Sequence, residues 1–419
     1  MNIEDIIYEQ KGSLYLDGKN LPGLAKKYGT PIIVYSKRKI QENVGKLRKA
    51  FSGGRTSIHF SIKSNYNPFI LRMLQGMNVG VDAATPNEVA LALKVGFPAE
   101  KIIATPNNMS REDLLSITRQ GVVLNFDDIS QMKLLGDDLP EVVSFRINPG
   151  IGRGQFKGIK TGGRGSKFGI PPEVAVKAYR MAKRKGVKRF GIHMMTGSNV
   201  LDPSFFDRSS YLFFRIADRI ARENGIEFEF LDIGGGFGVP YNIEDKELDV
   251  DEVGHYILRN FSKFSSKGQF RDSQLILEPG RFIIANAGVL LASVTGIKRY
   301  DNVLVGMDVS MNTLIRIPLY GAVHPVFVAN RTSDSRKVSV NLVGQVCENT
   351  DILFRSISLP RLEVGDTIAI LNCGAYVTSM SSNYNLLARP MEIMIDGSKE
   401  RVIRRRETVE DILQSFENV

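Results

Sequence analysis

The chain has 419 residues, 43% hydrophobic and 24% charged, with 55 basic against 45 acidic side chains for a net charge of +10. That is room for two ordinary domains and the balance of a globular protein, which excludes a disordered or fibrous chain. Two cysteines exclude a disulfide framework, and the longest apolar run, Phe282 to Val294, is broken by Asn286 and too short to span a bilayer.

The N-terminal MNIEDIIYEQKGSLY lacks a basic-then-apolar leader pattern, so a cytoplasmic, reduced protein without a membrane partner is expected. The basic clusters at 183–189 and 401–406 have no aromatic interleaving and match no reader motif. Solvated faces are expected there rather than nucleic-acid contacts, and a mild positive field suits small anionic substrates.

From about residue 30 to 281, short β-rich runs alternate with helix-length amphipathic segments. Runs at 57–62, 79–83, 101–105, 122–125, 142–147, 190–194, 228–233 and 275–278 predict eight strands. Segments 86–95, 110–119, 171–185 and 205–224 predict helices between them, with Pro68, Pro86 and Pro171 near helix starts and Gly96, Gly121, Gly186 and Gly225 just past helix ends. Eight β/α units in a stretch of about 250 residues predict a (β/α)8 TIM-type barrel. A doubly wound sheet is the alternative, but it more often has five to seven strands. After Arg281 the rhythm changes: 289–297, 302–309, 325–329, 337–346, 366–372 and 391–395 predict strands without long helices between them. The expected organisation is an N-terminal segment, 1–35, joining a β-rich C-terminal domain, 282–419, with the barrel, 36–281, inserted. Ser13-Leu-Tyr-Leu-Asp17 is the strand expected to make that join.

In such barrels, polar residues at the C-terminal ends of strands build the active site. The first predicted strand ends Ser61-Ile-Lys63. A lysine there is either a desolvated amine nucleophile or a side chain snorkelling to the rim. The sixth ends His193-Met-Met-Thr-Gly-Ser-Asn199, and the seventh ends Asp232-Ile-Gly-Gly-Gly-Phe-Gly238. Consecutive glycines let backbone N–H groups crowd round an anion, at the position where barrels often keep a phosphate. The eighth ends Leu277-Glu-Pro-Gly-Arg281. An amine, a phosphate cradle, a carboxylate and an arginine together fit pyridoxal 5'-phosphate: Lys63 for the aldehyde, the glycine loop for the phosphate, Glu278 for the pyridine nitrogen.

Outside the barrel, GQVCENTD sets Cys347 beside Glu348 and four residues before Asp351; on its own it reads as a core thiol ahead of a working one. His59, His255 and His324 read as structural, and Cys373 as a small buried hydrophobe. No His–Cys ligand spacing is present, so no metal site is expected.

The stretches FSIKSNYN, RINPGIG followed by KTGGRGSKFGI, GIHMMTGSNV, DIGGGFGVPY, ILEPGRFIIANAGVLL, MNTLIRIPLYGAVH, GQVCENTD, NCGAYVTSMSSNYN and VIRRRETVEDIL occur in that order. On them the chain resembles the fold type III pyridoxal-phosphate decarboxylases of basic amino acids, most of all the diaminopimelate decarboxylases, over nearly its whole length. The resemblance implies that Lys63 bonds the cofactor aldehyde, that Gly235, Gly236 and Ser198 hold its phosphate, and that Glu278 meets the pyridine nitrogen, with Gly280 and Arg281 lining the cofactor. It implies that Arg281, Arg316 and Tyr320 bind substrate carboxylates and that Tyr376 touches cofactor phosphate and substrate. Cys347 becomes the acid that protonates the α-carbon after carbon dioxide leaves, and Glu348 the acceptor of the distal ammonium. A thiol is mostly protonated at neutral pH, so it can donate.

The implied substrate is an amino acid, meso-2,6-diaminopimelate first, giving L-lysine. Ornithine, lysine, arginine or a siderophore-type or carrier-bound precursor is the alternative. A homodimer with shared active sites is implied, the Cys-Glu loop of one copy reaching the site of the other. A racemase on a similar barrel would leave Cys347 and Glu348 without a task. Two departures stand out. The family usually reads Cys-Glu-Ser-Gly-Asp where this chain has Cys347-Glu-Asn-Thr-Asp351. It usually reads His-x-His-Ile-Gly-Ser where this chain has His193-Met-Met-Thr-Gly-Ser198, so Met195 replaces the histidine that stacks on the cofactor ring.

Overall fold

The computed structural model describes residues 5–154, 162–163, 165–266, 270–332, 334 and 336–417. Lys160, Thr161 and Arg164 of the KTGGRGSKFGI stretch lie outside the described residues. The chain forms two compact units, one made of Val44–Val239 with Leu248–Phe282, the other of Met1–Asn43, Pro240–Glu247 and Ile283–Val419.

The first unit is a closed barrel of eight parallel strands. In chain order they are Thr56–Ser61, Gly80–Ala83, Ile102–Ala104, Val123–Phe126, Val142–Ile147, Arg189–Met194, Phe230–Asp232 and Gln274–Leu277. The eighth closes on the first with Leu275 opposite Thr56. Apolar side chains such as Phe60, Val81, Leu124, Phe145, Ile192 and Leu231 alternate along these strands with buried polar ones, among them His59, Asp82, Asn125, Ser144, His193 and Asp232. The intervening helices start where a side chain accepts an otherwise orphaned backbone N–H: Asn67 before Pro68–Gly76, Thr85 before Pro86–Val95, and Ser110 in a capping box with Asp113 before Arg111–Thr118. Pro86–Val95 and Pro203–Asn224 stop at Gly96 and Gly225, both left-handed, which glycine adopts without steric cost.

Between helix and barrel, Tyr179 is fully buried; its hydroxyl donates to the Gly191 carbonyl at 2.6 Å and accepts from the Phe145 N–H at 3.2 Å. Its ring meets Phe145 edge-on at 5.1 Å. Removing such an aromatic costs on the order of 3–5 kcal/mol, so the hydroxyl's two bonds and the ring together fix that strand register.

The first strand ends one residue earlier than its apolar run suggested, because the chain tightens into a single 3-10 turn, Ile62–Ser64. The Ser64 hydroxyl donates to the Ser61 carbonyl at 2.8 Å and the Asn65 N–H to the Ile62 carbonyl at 2.9 Å. Lys63 therefore projects from a turn rather than from a strand.

The second unit carries a nine-stranded sheet whose main path runs Ile352–Pro360, Lys337–Val343, Val303–Met307, Gly288–Arg299, Ile32–Ser36, Met391–Asp396, Lys399–Arg404. Thr367–Ile370 pairs with Gly288–Arg299 and with Val326–Val328. The N-terminal segment enters this sheet through Ile32–Ser36, which is antiparallel to Gly288–Arg299 and parallel to Met391–Asp396.

Ser13–Leu16 instead sits in a separate three-stranded meander with Tyr8–Gln10 and Lys19–Asn20. Positive-φ pairs at Lys11-Gly12 and Asp17-Gly18 turn that segment back on itself after four residues. Ile32–Ser36 is buried at every position, as suits a central strand. The sequence reading missed Ile352–Pro360, whose apolar alternation is interrupted by Arg355 and Ser356, and Lys399–Arg404, whose basic run is an edge strand bearing Lys and Arg.

Candidate active site

In the barrel unit the polar strand ends converge. The Lys63 ammonium donates to Asp82 at 2.6 Å, and Asp82, at the end of the second strand, is 2% exposed. The Ser61 hydroxyl lies 2.9 Å from the same Asp82 oxygen and 3.1 Å from the Glu278 carbonyl, tying the first, second and eighth strand ends together. Glu278 is buried, and the His193 Nε2–H donates to its Oε2 at 3.1 Å. Asp232 completes the group: one ligand-type atom from each of His193, Asp232 and Glu278 falls within 4.8 Å of the others.

Burial opposes charge on both carboxyls, and they resolve the conflict in opposite directions. Burial and the neighbouring Glu278 charge push Asp232 well above the usual carboxylate range. Burial would also raise Glu278, but the His193 and Lys63 charges and the Asp232 hydrogen bond outweigh it and hold Glu278 down at about 2. The result is a buried, ionised Glu278 whose Oε1 has no hydrogen-bond partner.

Beside it runs the glycine turn. Gly234 and Gly236 have φ of +70° and +97°. The Gly234 N–H donates to Asp232 at 2.8 Å, and the Glu278 N–H to the Gly234 carbonyl at 2.9 Å. A Cβ on Gly235 would collide with the Glu278 carbonyl oxygen, so backbone lies directly on backbone there. The Met195 sulfur accepts the Gly235 N–H at 3.2 Å. Gly280 is equally constrained: its Cβ would meet Ser64 at 3.0 Å and Ser61 at 3.1 Å. Arg281 is buried, 3.4 Å from the Ser198 hydroxyl.

In the second unit the functional candidates fall into two groups. Arg316 opens the short helix Arg316–Tyr320 and is 2% exposed. It lies over the Tyr241 ring, 5.0 Å from its centroid, and its Nη1 donates to the Tyr241 hydroxyl at 3.3 Å. Among the described residues it has no acidic partner. Tyr320 is half-buried at the end of that helix. The other group is the loop 344–351. Its buried Asp351 carboxylate accepts N–H bonds from Met311 at 2.7 Å and Val346 at 2.8 Å, while Cys347, Glu348, Asn349 and Thr350 are all exposed. The Tyr384 hydroxyl donates to Glu348 at 2.9 Å, and the Cys347 N–H to Asn385 at 3.0 Å. No hydrogen bond joins either loop residue to Arg316 among the described residues. Tyr376 is held at φ +59°, a strained value for a non-glycine residue. Cys373 is buried, and burial pushes its thiol up to about 12, an inert hydrophobe as its sequence setting suggested.

Residues 37–285 match the model of the pyridoxal-dependent decarboxylases, over their pyridoxal-binding domain. This chain belongs to that family. The decarboxylase is 41% identical to a diaminopimelate decarboxylase of Thermoplasma acidophilum, covering 99% of each chain, and 39% identical to one of Methanothermobacter thermautotrophicus, covering 98% and 97%. Its structure superposes with a TM-score of 0.91 on a diaminopimelate decarboxylase of Methanocaldococcus jannaschii in complex with L-lysine, at 30% identity over 100% of this chain and 99% of that one.

The barrel residues of the decarboxylase fit pyridoxal phosphate on their own geometry. The open Oε1 of an ionised, buried Glu278 suits a ring N–H. The turn where no Cβ fits suits a phosphate approaching backbone N–H groups, and the half-exposed Lys63 amine suits an aldehyde. Of the residues expected from sequence, Lys63, Ser198, Gly235, Gly236, Glu278, Gly280 and Arg281 lie in this unit; Arg316, Tyr320, Cys347, Glu348 and Tyr376 lie in the other.

Sequence reasoning gave no role to Asp82, His193, Asp232, Tyr241, His324 or Tyr384. Asp82, His193 and Asp232 carried a usable signal, since each is a polar residue at or next to the C-terminal end of a barrel strand. Tyr241 carried none: Pro240–Glu247 is an eight-residue excursion from the barrel sequence that packs in the β unit.

Proposed function

We propose that this decarboxylase converts meso-2,6-diaminopimelate to L-lysine and carbon dioxide. The observation that carries the reading is its full-length likeness to diaminopimelate decarboxylases, at up to 41% identity. The charge types agree: the substrate's far end bears a carboxylate and an ammonium, and the β unit offers a buried guanidinium without an acidic partner and an exposed carboxylate.

In this reading Lys63 tethers the cofactor through its amine, and Asp82 steers that amine. Gly235, Gly236 and Ser198 receive the phosphate, and Tyr376 joins them. Glu278 would face the ring nitrogen, and it keeps its negative charge because His193 donates to it and the Lys63 charge lies nearby. Pyridoxal phosphate, when bound, supplies the sink for the electron pair left at the α-carbon as carbon dioxide departs. Arg281 and Tyr320 orient substrate carboxylate, and Arg316 takes the distal carboxylate in fork geometry. The Cys347 thiol delivers a proton to the α-carbon, forming the C–H bond that replaces the broken C–C bond, and Glu348 accepts the distal ammonium.

We further propose a cytoplasmic homodimer in which the exposed loop of Cys347 and Glu348 serves the partner's site. Among the described residues no helix is long and apolar enough to cross a membrane. The substrate test is direct: purified protein with pyridoxal phosphate is given meso-diaminopimelate, ornithine, lysine and arginine in turn, and carbon dioxide and amine products are measured. Release from diaminopimelate is expected; release from ornithine with none from diaminopimelate overturns the assignment.

A further inference from the structure

Arg316 is a buried cation whose hydrogen-bond and ring partners among the described residues, Tyr241 and His324, carry no negative charge. Its guanidinium lies on the Tyr241 ring, its Nη1 is 3.3 Å from the Tyr241 hydroxyl, and the same Nη1 is 3.3 Å from His324 Nε2. Burying a guanidinium without a counter-charge is costly, so the arrangement makes sense when an anion completes it. The tautomer of His324 is fixed by chemistry. Its Nδ1 lies 2.8 Å from the Leu371 carbonyl, which only accepts, so Nδ1 carries the hydrogen and Nε2 presents a lone pair. That lone pair is the right partner for an arginine N–H. The His324 ring in turn stands perpendicular to Tyr241, centroids 5.1 Å apart, so backbone, imidazole, phenol and guanidinium form one braced chain. His324 is itself buried.

We propose that His324 is a positioning residue for Arg316: by engaging one guanidinium edge it aims the remaining N–H groups at the substrate's distal carboxylate, the group that the reaction leaves in place and L-lysine retains. This rests on the substrate assignment above. The pair would then set how tightly the enzyme holds both substrate and product against diamines that lack this carboxylate. A contact remote from the reacting bond acts on ground and transition states alike, so its loss appears in KM and leaves kcat.

The test uses the holoenzyme and two substitutions that separate the two ring nitrogens. His324→Asn keeps a donor for the Leu371 carbonyl and removes the acceptor facing Arg316; His324→Gln restores an acceptor near the Nε2 position. His324→Asn is expected to raise KM for meso-diaminopimelate by about tenfold, the size of a lost charge-assisted hydrogen bond. It should weaken inhibition by L-lysine by a similar factor, leave kcat and the visible absorbance of the bound cofactor within about twofold, and His324→Gln should recover most of the loss. An unmoved KM, or unchanged inhibition by L-lysine, overturns the proposal while wild-type activity on diaminopimelate leaves the substrate assignment standing. A wild-type enzyme inactive on diaminopimelate overturns the substrate assignment, and this inference with it.

Discussion

Two buried arginines, one in each unit, show what separates the halves of this enzyme. Arg146, on the fifth barrel strand, lies over the Phe168 ring at 4.4 Å and reaches a carboxylate, Asp127, at 3.5 Å. Arg316 lies over the Tyr241 ring in much the same way, but its other neighbours are neutral. The contrast extends outward. In the barrel unit Lys63 has Asp82, and Glu278 has His193. In the β unit Cys347 and Glu348 are exposed, and Glu348 has only a phenol. A site that balances its own charges is built to hold a resident group in one pose. A site that leaves charges unbalanced is built to be completed by something that arrives and leaves.

The largest effect should come from breaking the barrel side. Lys63→Ala removes the amine that tethers the cofactor and leaves the buried Asp82 without its counter-ion. Decarboxylation should vanish, and the visible absorbance that pyridoxal phosphate shows when bound to the native protein should be lost or shifted. An unchanged spectrum refutes the lysine assignment.

Cys347→Ala tests the other side. It should retain the cofactor spectrum yet lose turnover by about 10²–10⁴-fold, the range for one positioned proton donor. Full activity removes Cys347 as the acid. The same two variants test the dimer. If each site borrows its loop from the partner, mixing the two inactive proteins under exchange should restore activity to about a quarter of wild type, since half the dimers are mixed and one of their two sites is whole. Absence of any recovery refutes the sharing.

How much of this was legible beforehand follows the same division. The barrel's eight strands were readable because each is a short run of apolar residues bounded by turn residues. The Pro86–Val95 helix was readable to the residue because Thr85 and Gly96 mark its ends. Lys63, Glu278 and the glycine turn were readable because strand order places them at one mouth. What was not legible depended on distant pairing. Ile32–Ser36 becomes a central strand only through partners more than 250 residues away. His324 looked structural in isolation, and only the Leu371 carbonyl and Arg316, on different segments, show which nitrogen carries its hydrogen. The opposite shifts of Asp232 and Glu278 are likewise a property of their proximity, not of either motif.

The smallest predicted effect sharpens the barrel's side of the comparison, because it comes from a histidine that does not have a balancing charge in contact. His59, on the first barrel strand, is fully buried; its Nε2 lies 3.1 Å from the Ser57 hydroxyl and its Nδ1 has no partner. Burial depresses it from 6.5 to about 4, and the nearby Glu278 charge offsets this only partly. The native state therefore binds fewer protons than the unfolded chain between these values, so stability falls as pH drops from 6.5 toward 4. The loss is at most about 3 kcal/mol and is complete only below the native value. Above pH 6.5 both states are neutral at this position and it contributes no slope. Urea-unfolding midpoints between pH 7.5 and 4.5 should fall for the wild type and fall less for His59→Leu, whatever the leucine costs at neutral pH. Glu278, lowered from 4.5 to about 2 in the fold, adds to the decline only at the low end of the window, where the unfolded carboxyl begins to take up its proton, and it does so equally in both proteins. Equal slopes in the two proteins would mean that His59 takes up its proton inside the fold, and that the barrel tolerates one uncompensated charge.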